Sequence, residues 1–150
     1  MVEPPHLRLE RDDAPVFGRG SGLTKPADIL LYQWLDGRHS CVDLVCVSPA
    51  RGGWRDAASA LSIVERAKQE KHARTCLSHE FDFIPFGFST FGSFGPAAET
   101  LLDRICQRFA SHTQVPAWEA HAWVHRRLSF SIIRGVAEQF VRRQHPAFGW

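Results

Sequence analysis

The chain has 150 residues, 44% of them hydrophobic and 23% charged, with 9 Pro, 11 Gly and a net charge of +2. That is enough chain for one globular core, and it excludes a large multidomain enzyme on this chain alone. No apolar run approaches the ~18–20 residues needed to cross a bilayer.

Residues 1–25 mix Pro, Gly and charges without an apolar period and read as an extended or partly disordered lead-in. The opening stretch has no apolar signal core and is too acidic for a transit peptide, so a cytoplasmic or nuclear protein without membrane partners is expected. The segment Gly18 to Lys25 superficially suggests a phosphate-binding loop. It lacks both the Gly-Lys-Ser/Thr ending and a preceding apolar strand, so no nucleotide cofactor is expected.

Past Pro26, Ile29 to Trp34 and Cys41 to Val47 are short apolar runs flanking the Asp36-Gly37 turn signal, which predicts a β-hairpin. Asp56 can cap a helix running to about Leu77, with Ala57, Ala60, Leu61, Val64 and Ala67 on one stripe. Phe81 to Phe88 is a nearly continuous apolar strand, and the strand–helix–strand order predicts a parallel crossover. After a Gly-rich loop, Pro96 introduces a helix from Ala97 to about Phe109, with Leu101, Leu102, Ile105 and Phe109 inward. A last helix is expected from about Ala117 to Arg143, bent near Ser129, with Trp123, Leu128, Ile132, Val136 and Phe140 inward. Its Arg126, Arg127, Arg134, Arg142 and Arg143 outnumber Glu119 and Glu138, giving a basic surface. The expected fold is therefore α/β: a small mixed sheet, made of a hairpin and a strand parallel to its second strand, with helices on its faces. It forms one domain over 26–145, followed by a tail, 146–150.

Asp43 sits inside the otherwise apolar run Cys41 to Val47, where an unpaired carboxylate costs several kcal/mol, so it needs a partner. On the helix wheel Lys71 falls near the centre of the stripe of Ala60, Val64 and Ala67, with Lys68 at its edge. Asp28 opens the neighbouring strand, so both carboxylates can converge at one end of the sheet. Two carboxylates suit Mg²⁺, which acidifies a water, while an ammonium stabilises a phosphate under attack: the chemistry of phosphodiester hydrolysis. A buried Asp43–Lys71 ion pair with Asp28 capping a turn fits the same pattern.

Other constellations are weaker. His121 and His125 have helical i,i+4 spacing but no third zinc ligand, and Cys76 with His79 is no better. Cys41, Cys46, Cys76 and Cys106 lie in apolar segments and read as reduced core thiols.

Lys25-Pro26-Ala27-Asp28, followed by Asp43 in Cys-Val-Asp-Leu-Val-Cys-Val-Ser-Pro, resembles the restriction-like endonuclease segment near the C-terminus of non-LTR retrotransposon polyproteins. Further likeness lies in Glu-Arg-Ala-Lys-Gln-Glu-Lys-His (65–72), in Phe83 to Gly92, and in His125-Arg126-Arg127-Leu128-Ser129-Phe130. The resemblance spans about Lys25 to Arg143 and implies a PD-(D/E)XK nuclease fold in a truncated C-terminal fragment. It implies that Asp28 and Asp43 are the metal-binding acids, with Mg²⁺ as cofactor and DNA as partner. Val45 stands where the usual lysine follows the second acid. In the retrotransposon branch the lysine comes from the following helix, which makes Lys71, or Lys68, its counterpart. Arg126, Arg127 and Arg134 are the expected nucleic-acid contacts. The sequence departs from the wider pattern in Ala27, inserted between Pro and Asp, and in lacking a clear first helix before Lys25. A non-catalytic nucleic-acid- or protein-binding remnant with the same fold is the alternative.

Overall fold

The computed structural model describes residues 27–48 and 56–144. The lead-in, the Gly18 to Lys25 loop, the turn at Pro49 and Gly52-Gly53, and the tail lie outside the described residues. The elements run β1 (Ile29–Leu35), β2 (Arg38–Val47), α1 (Ala57–Leu77), β3 (Phe81–Ser89), α2 (Pro96–Thr113) and α3 (Ala117–Gln144). The sheet order is β1-β2-β3, with β1 and β2 antiparallel and β3 parallel to β2. The expected mixed sheet is present.

The hairpin turn is set by Asp36 and Gly37, both at positive φ (47° and 78°), a backbone that the Asp-Gly pair adopts readily. Pairing runs Ile29↔Val42, Leu30↔Cys41 and Leu31↔Ser40, then shifts before Leu35↔Arg38. In the irregular stretch Gln33, also at positive φ, donates its amide to His39 Nδ1 (3.0 Å). β2 begins three residues before the apolar run that announced it. Arg38 is held by Asp82 on β3 (3.0 Å), and Ser40 is fully buried. Pro85 interrupts no ladder on both sides, because β3 is an edge strand of this sheet.

The described residues group into two compact units, 27–45 with 65–86 and 46–64 with 87–144. In the first, Ala27, Cys41, Cys76 and Phe83 form a core with Leu30, Ala73 and Phe81 against it. In the second, Val47, Ala60, Leu61 and Val64 form one cluster. Asp56 caps α1 there: its carboxylate accepts from the Ser59 amide (2.6 Å) and hydroxyl (3.0 Å), which holds its pKa below the usual value.

α2 starts at Pro96, after Gly95 in extended backbone, and ends at Thr113, four residues beyond the expected end, with Gln114 as a C-cap in the left-handed region. Its last turns are polar, and Ser111 and Thr113 satisfy their hydroxyls on the carbonyls of Gln107 and Phe109. α2 packs on α3, and the buried residues are Ala98, Leu101, Leu102 and Cys106 on the first helix and Ala120 and Val124 on the second. α3 is one uninterrupted helix through Ser129. Two of its expected inward residues are instead exposed, Trp123 at 47% and Phe140 at 62%, because apolar residues occupy two faces of this helix. Cys41, Cys76 and Cys106 are buried free thiols as expected, whereas Cys46 is exposed.

Candidate functional site

Asp43 lies on β2 with its residue only 8% exposed, on the face it shares with Cys41 (0%) and Val47 (9%). Its partner is Lys68 on α1, whose Nζ stands 2.7 Å from Asp43 Oδ2. The Lys68 side chain keeps 33% of its surface, so the pair is half-sealed rather than dry. Lys71, the expected partner, is exposed. The inward face of α1 runs through Ala60, Leu61, Val64, Glu65, Lys68, His72 and Cys76, so the expected phase holds at Ala60, Leu61 and Val64 and is lost at Ala67 and Lys71, which are exposed. Alanines set that phase, yet Ala67 is exposed and the polar Glu65 is inside at 3%.

Asp28 brackets Asp43 from the residue just before β1. Its amide donates to the Val42 carbonyl (3.0 Å), and its Oδ2 accepts from the Leu44 amide (2.9 Å). The two hydrogen bonds fall on either side of Asp43, so one side chain fixes β2 around the other acid. Asp28 itself is exposed.

Two groups on the α1 seam escaped the sequence reading. Glu65 is buried one turn before Lys68. His72, one turn after Lys68, packs its ring 5.6 Å from Phe83. Burial pushes the His72 pKa down, the Asp43 charge pulls it back up, and Lys71 and Lys68 add to the depression. Spacing of 3 and 4 residues around Lys68 was the available signal for both. Behind the acids, burial and the neighbouring Cys76 thiol push the Cys41 pKa up to about 12, so this thiol is inert as a nucleophile.

The arrangement therefore presents one carboxylate from β2, a second from the residue just before β1, and one ammonium from the crossing helix. Mg²⁺ uses one or two protein carboxylates and fills its other positions with water and phosphate oxygens, so Asp28 and Asp43 fit that donor set. Among the described residues no three or more His, Cys, Asp or Glu side chains are grouped to hold a metal ion.

Arg126, Arg127 and Arg134 are exposed on α3 in the other unit. Arg127 covers the Trp123 ring (5.2 Å), which stacks on Phe109 with centroids 4.8 Å apart and planes 8° apart. Arg134 bonds Glu138 (3.0 Å). His121 and His125 stack at 3.9 Å, and His121 Nε2 lies 3.7 Å from Asp103. No described helix is long and apolar enough to cross a membrane.

Comparison of the chain with protein-family models, with curated proteins and with solved structures finds no match.

Proposed function

We propose that this chain is a retroelement-derived, Mg²⁺-dependent DNA endonuclease domain of the restriction-endonuclease-like kind, with Asp28, Asp43 and Lys68 as its reactive set. One observation carries the reading: Lys68 reaches from the crossing helix to within 2.7 Å of Asp43, while Asp28 clamps the two residues flanking it. This supports Lys68 rather than Lys71 as the helix-borne lysine.

Asp28 and Asp43 would hold Mg²⁺, which supplies a Lewis acid for a phosphate oxygen and lowers the pKa of a bound water. Asp43 is anchored in β2 and cannot retreat into solvent, so it fixes the position of its carboxylate. Asp28 keeps one oxygen on the Leu44 amide, which orients the other. Lys68 is held by Asp43 in the ground state and brings a positive charge to the place where phosphate charge would grow. The hydrogen-bonded hairpin keeps the acids from drifting apart, and placement of this kind is where such sites gain rate.

A second reading is a non-catalytic remnant in which Asp43 and Lys68 are a structural ion pair. The closed 2.7 Å contact also favours this one, since a buried acid must find a counterion with or without catalysis. Supercoiled plasmid incubated with the purified chain separates the two. Nicking that requires Mg²⁺ or Mn²⁺, stops with EDTA and is lost in Asp43→Ala supports the nuclease. Duplex binding with no metal-dependent nicking supports the remnant. Failure to bind DNA at low salt sinks both nucleic-acid readings.

A further inference from the structure

The carboxyl half of α3 carries a surface that the metal-site reading does not use. At about 100° per residue, Phe130, Ile133, Ala137, Phe140 and Val141 fall on one stripe of the helix. Four of them are largely exposed: Phe130 at 68%, Ile133 at 57%, Phe140 at 62% and Val141 at 63%. Val124, Leu128, Ile132 and Val136, buried or half-buried, lie on the opposite side. The helix therefore has two apolar faces, and one of them is left in water. Single exposed apolar residues are ordinary, but a continuous stripe over three turns marks a contact surface.

Spacing and charge both specify the occupant. Phe130, Ile133, Ala137 and Phe140 step by 3, 4 and 3 residues, the seam that receives knobs from another helix. Arg126 continues the stripe one turn earlier, and Arg134 and Arg127 line its edge, so the rim is basic. Over the whole of α3, five arginines stand against two glutamates, and with Arg134 and Glu138 offsetting each other, Arg126, Arg127, Arg142 and Arg143 remain against Glu119. A second copy of this helix would set one arginine rim against another. Phosphates would satisfy the arginines and bases would stack on Phe130 and Phe140, but the aliphatic Ile133 and Val141 would be left in water.

We infer that this face docks an amphipathic helix of a partner protein, with aliphatic residues in its seam and Asp or Glu along its flanks. The inference does not depend on the metal site, which belongs to the other compact unit.

The test is fluorescence anisotropy on the full chain. The probes are a labelled helical peptide of about three heptads, with Leu at the seam and Glu at the flanks, and its twin with Lys at the flanks. The Glu peptide binds in the micromolar range and the Lys peptide at least about tenfold more weakly. Ile133→Asn and Phe140→Asn, both at exposed positions, each weaken the Glu peptide about tenfold or more while leaving the melting curve unchanged. Equal binding of both peptides, no binding of either, or binding indifferent to the two substitutions overturns the inference. So does a labelled oligonucleotide whose binding is lost in the same variants. A dimer in light scattering that Ile133→Asn dissolves would overturn it in favour of a second copy.

Discussion

In the unit that holds the hairpin, charged side chains are inside: Asp43 and Glu65 are 8% and 3% exposed, with Lys68 and His72 beside them on the α1 seam. In the unit that holds α2 and α3, large apolar side chains are outside, with Trp118, Phe130, Ile133, Phe140 and Val141 all more than half exposed. Each arrangement costs stability, and each concerns a different kind of contact. Buried charge must be offset by a partner within the chain, so it fixes geometry and suits chemistry. Exposed apolar surface is offset only by a partner outside the chain, so it suits docking.

The largest effect that could break this contrast is at Asp43. Asp43→Ala leaves the Lys68 ammonium without its counterion and should cost about 1–3 kcal/mol in urea unfolding. That is less than the ~3–5 kcal/mol of a fully buried pair, because a third of Lys68 is exposed. Asp43→Leu combined with Lys68→Met removes both charges and should recover most of the loss. A double variant as unstable as the single would mean that the pair is not what Asp43 contributes.

The next effect depends on pH. His72 has a folded pKa below its unfolded value of about 6.5, so the unfolded state binds its proton first. Its contribution is therefore fully present above the unfolded pKa and is lost as pH falls through the lower folded pKa. Between pH 7.5 and 5 the wild type should lose more urea resistance than His72→Gln does. Equal losses would place His72 in solvent.

Smaller still are changes on the exposed stripe, where Phe130→Ser and Phe140→Ser should each shift stability by no more than about 0.5 kcal/mol. A loss above about 1 kcal/mol at either position would mean that the face is already packed and free for no partner. Smallest of all is Lys71→Met, for which the melting temperature should be indistinguishable from wild type.

The sequence carried the hairpin in Asp36-Gly37, the start of α1 in Asp56, and β3 in its nearly continuous apolar run. Patterns of polarity failed where polar residues are inside or apolar ones outside. Arg38 to Ser40 hid the start of β2, since only the fold supplies Asp82 as a partner for Arg38. Glu65 and Lys68 disguised the inward face of α1, so the expected lysine was Lys71, three residues on and outside that face, rather than Lys68. On α3 the two apolar faces merged into one imagined stripe, which concealed the exposure of Trp123 and Phe140. Asp43 was legible for the opposite reason: a lone carboxylate in an apolar strand must have a partner, wherever that partner lies in the chain.

Plasmid nicking by two lysine variants, with Mg²⁺ or Mn²⁺ and an EDTA control, tests the central claim most directly. Lys68→Met should lower the nicking rate by about a hundredfold or more, as expected for loss of a charge aimed at the reacting phosphate. Lys71→Met should nick as the wild type does, and both should bind duplex DNA with similar affinity. Nicking that survives in Lys68→Met, or that is lost equally in Lys71→Met, would contradict the assignment of Asp28, Asp43 and Lys68 as the reactive set.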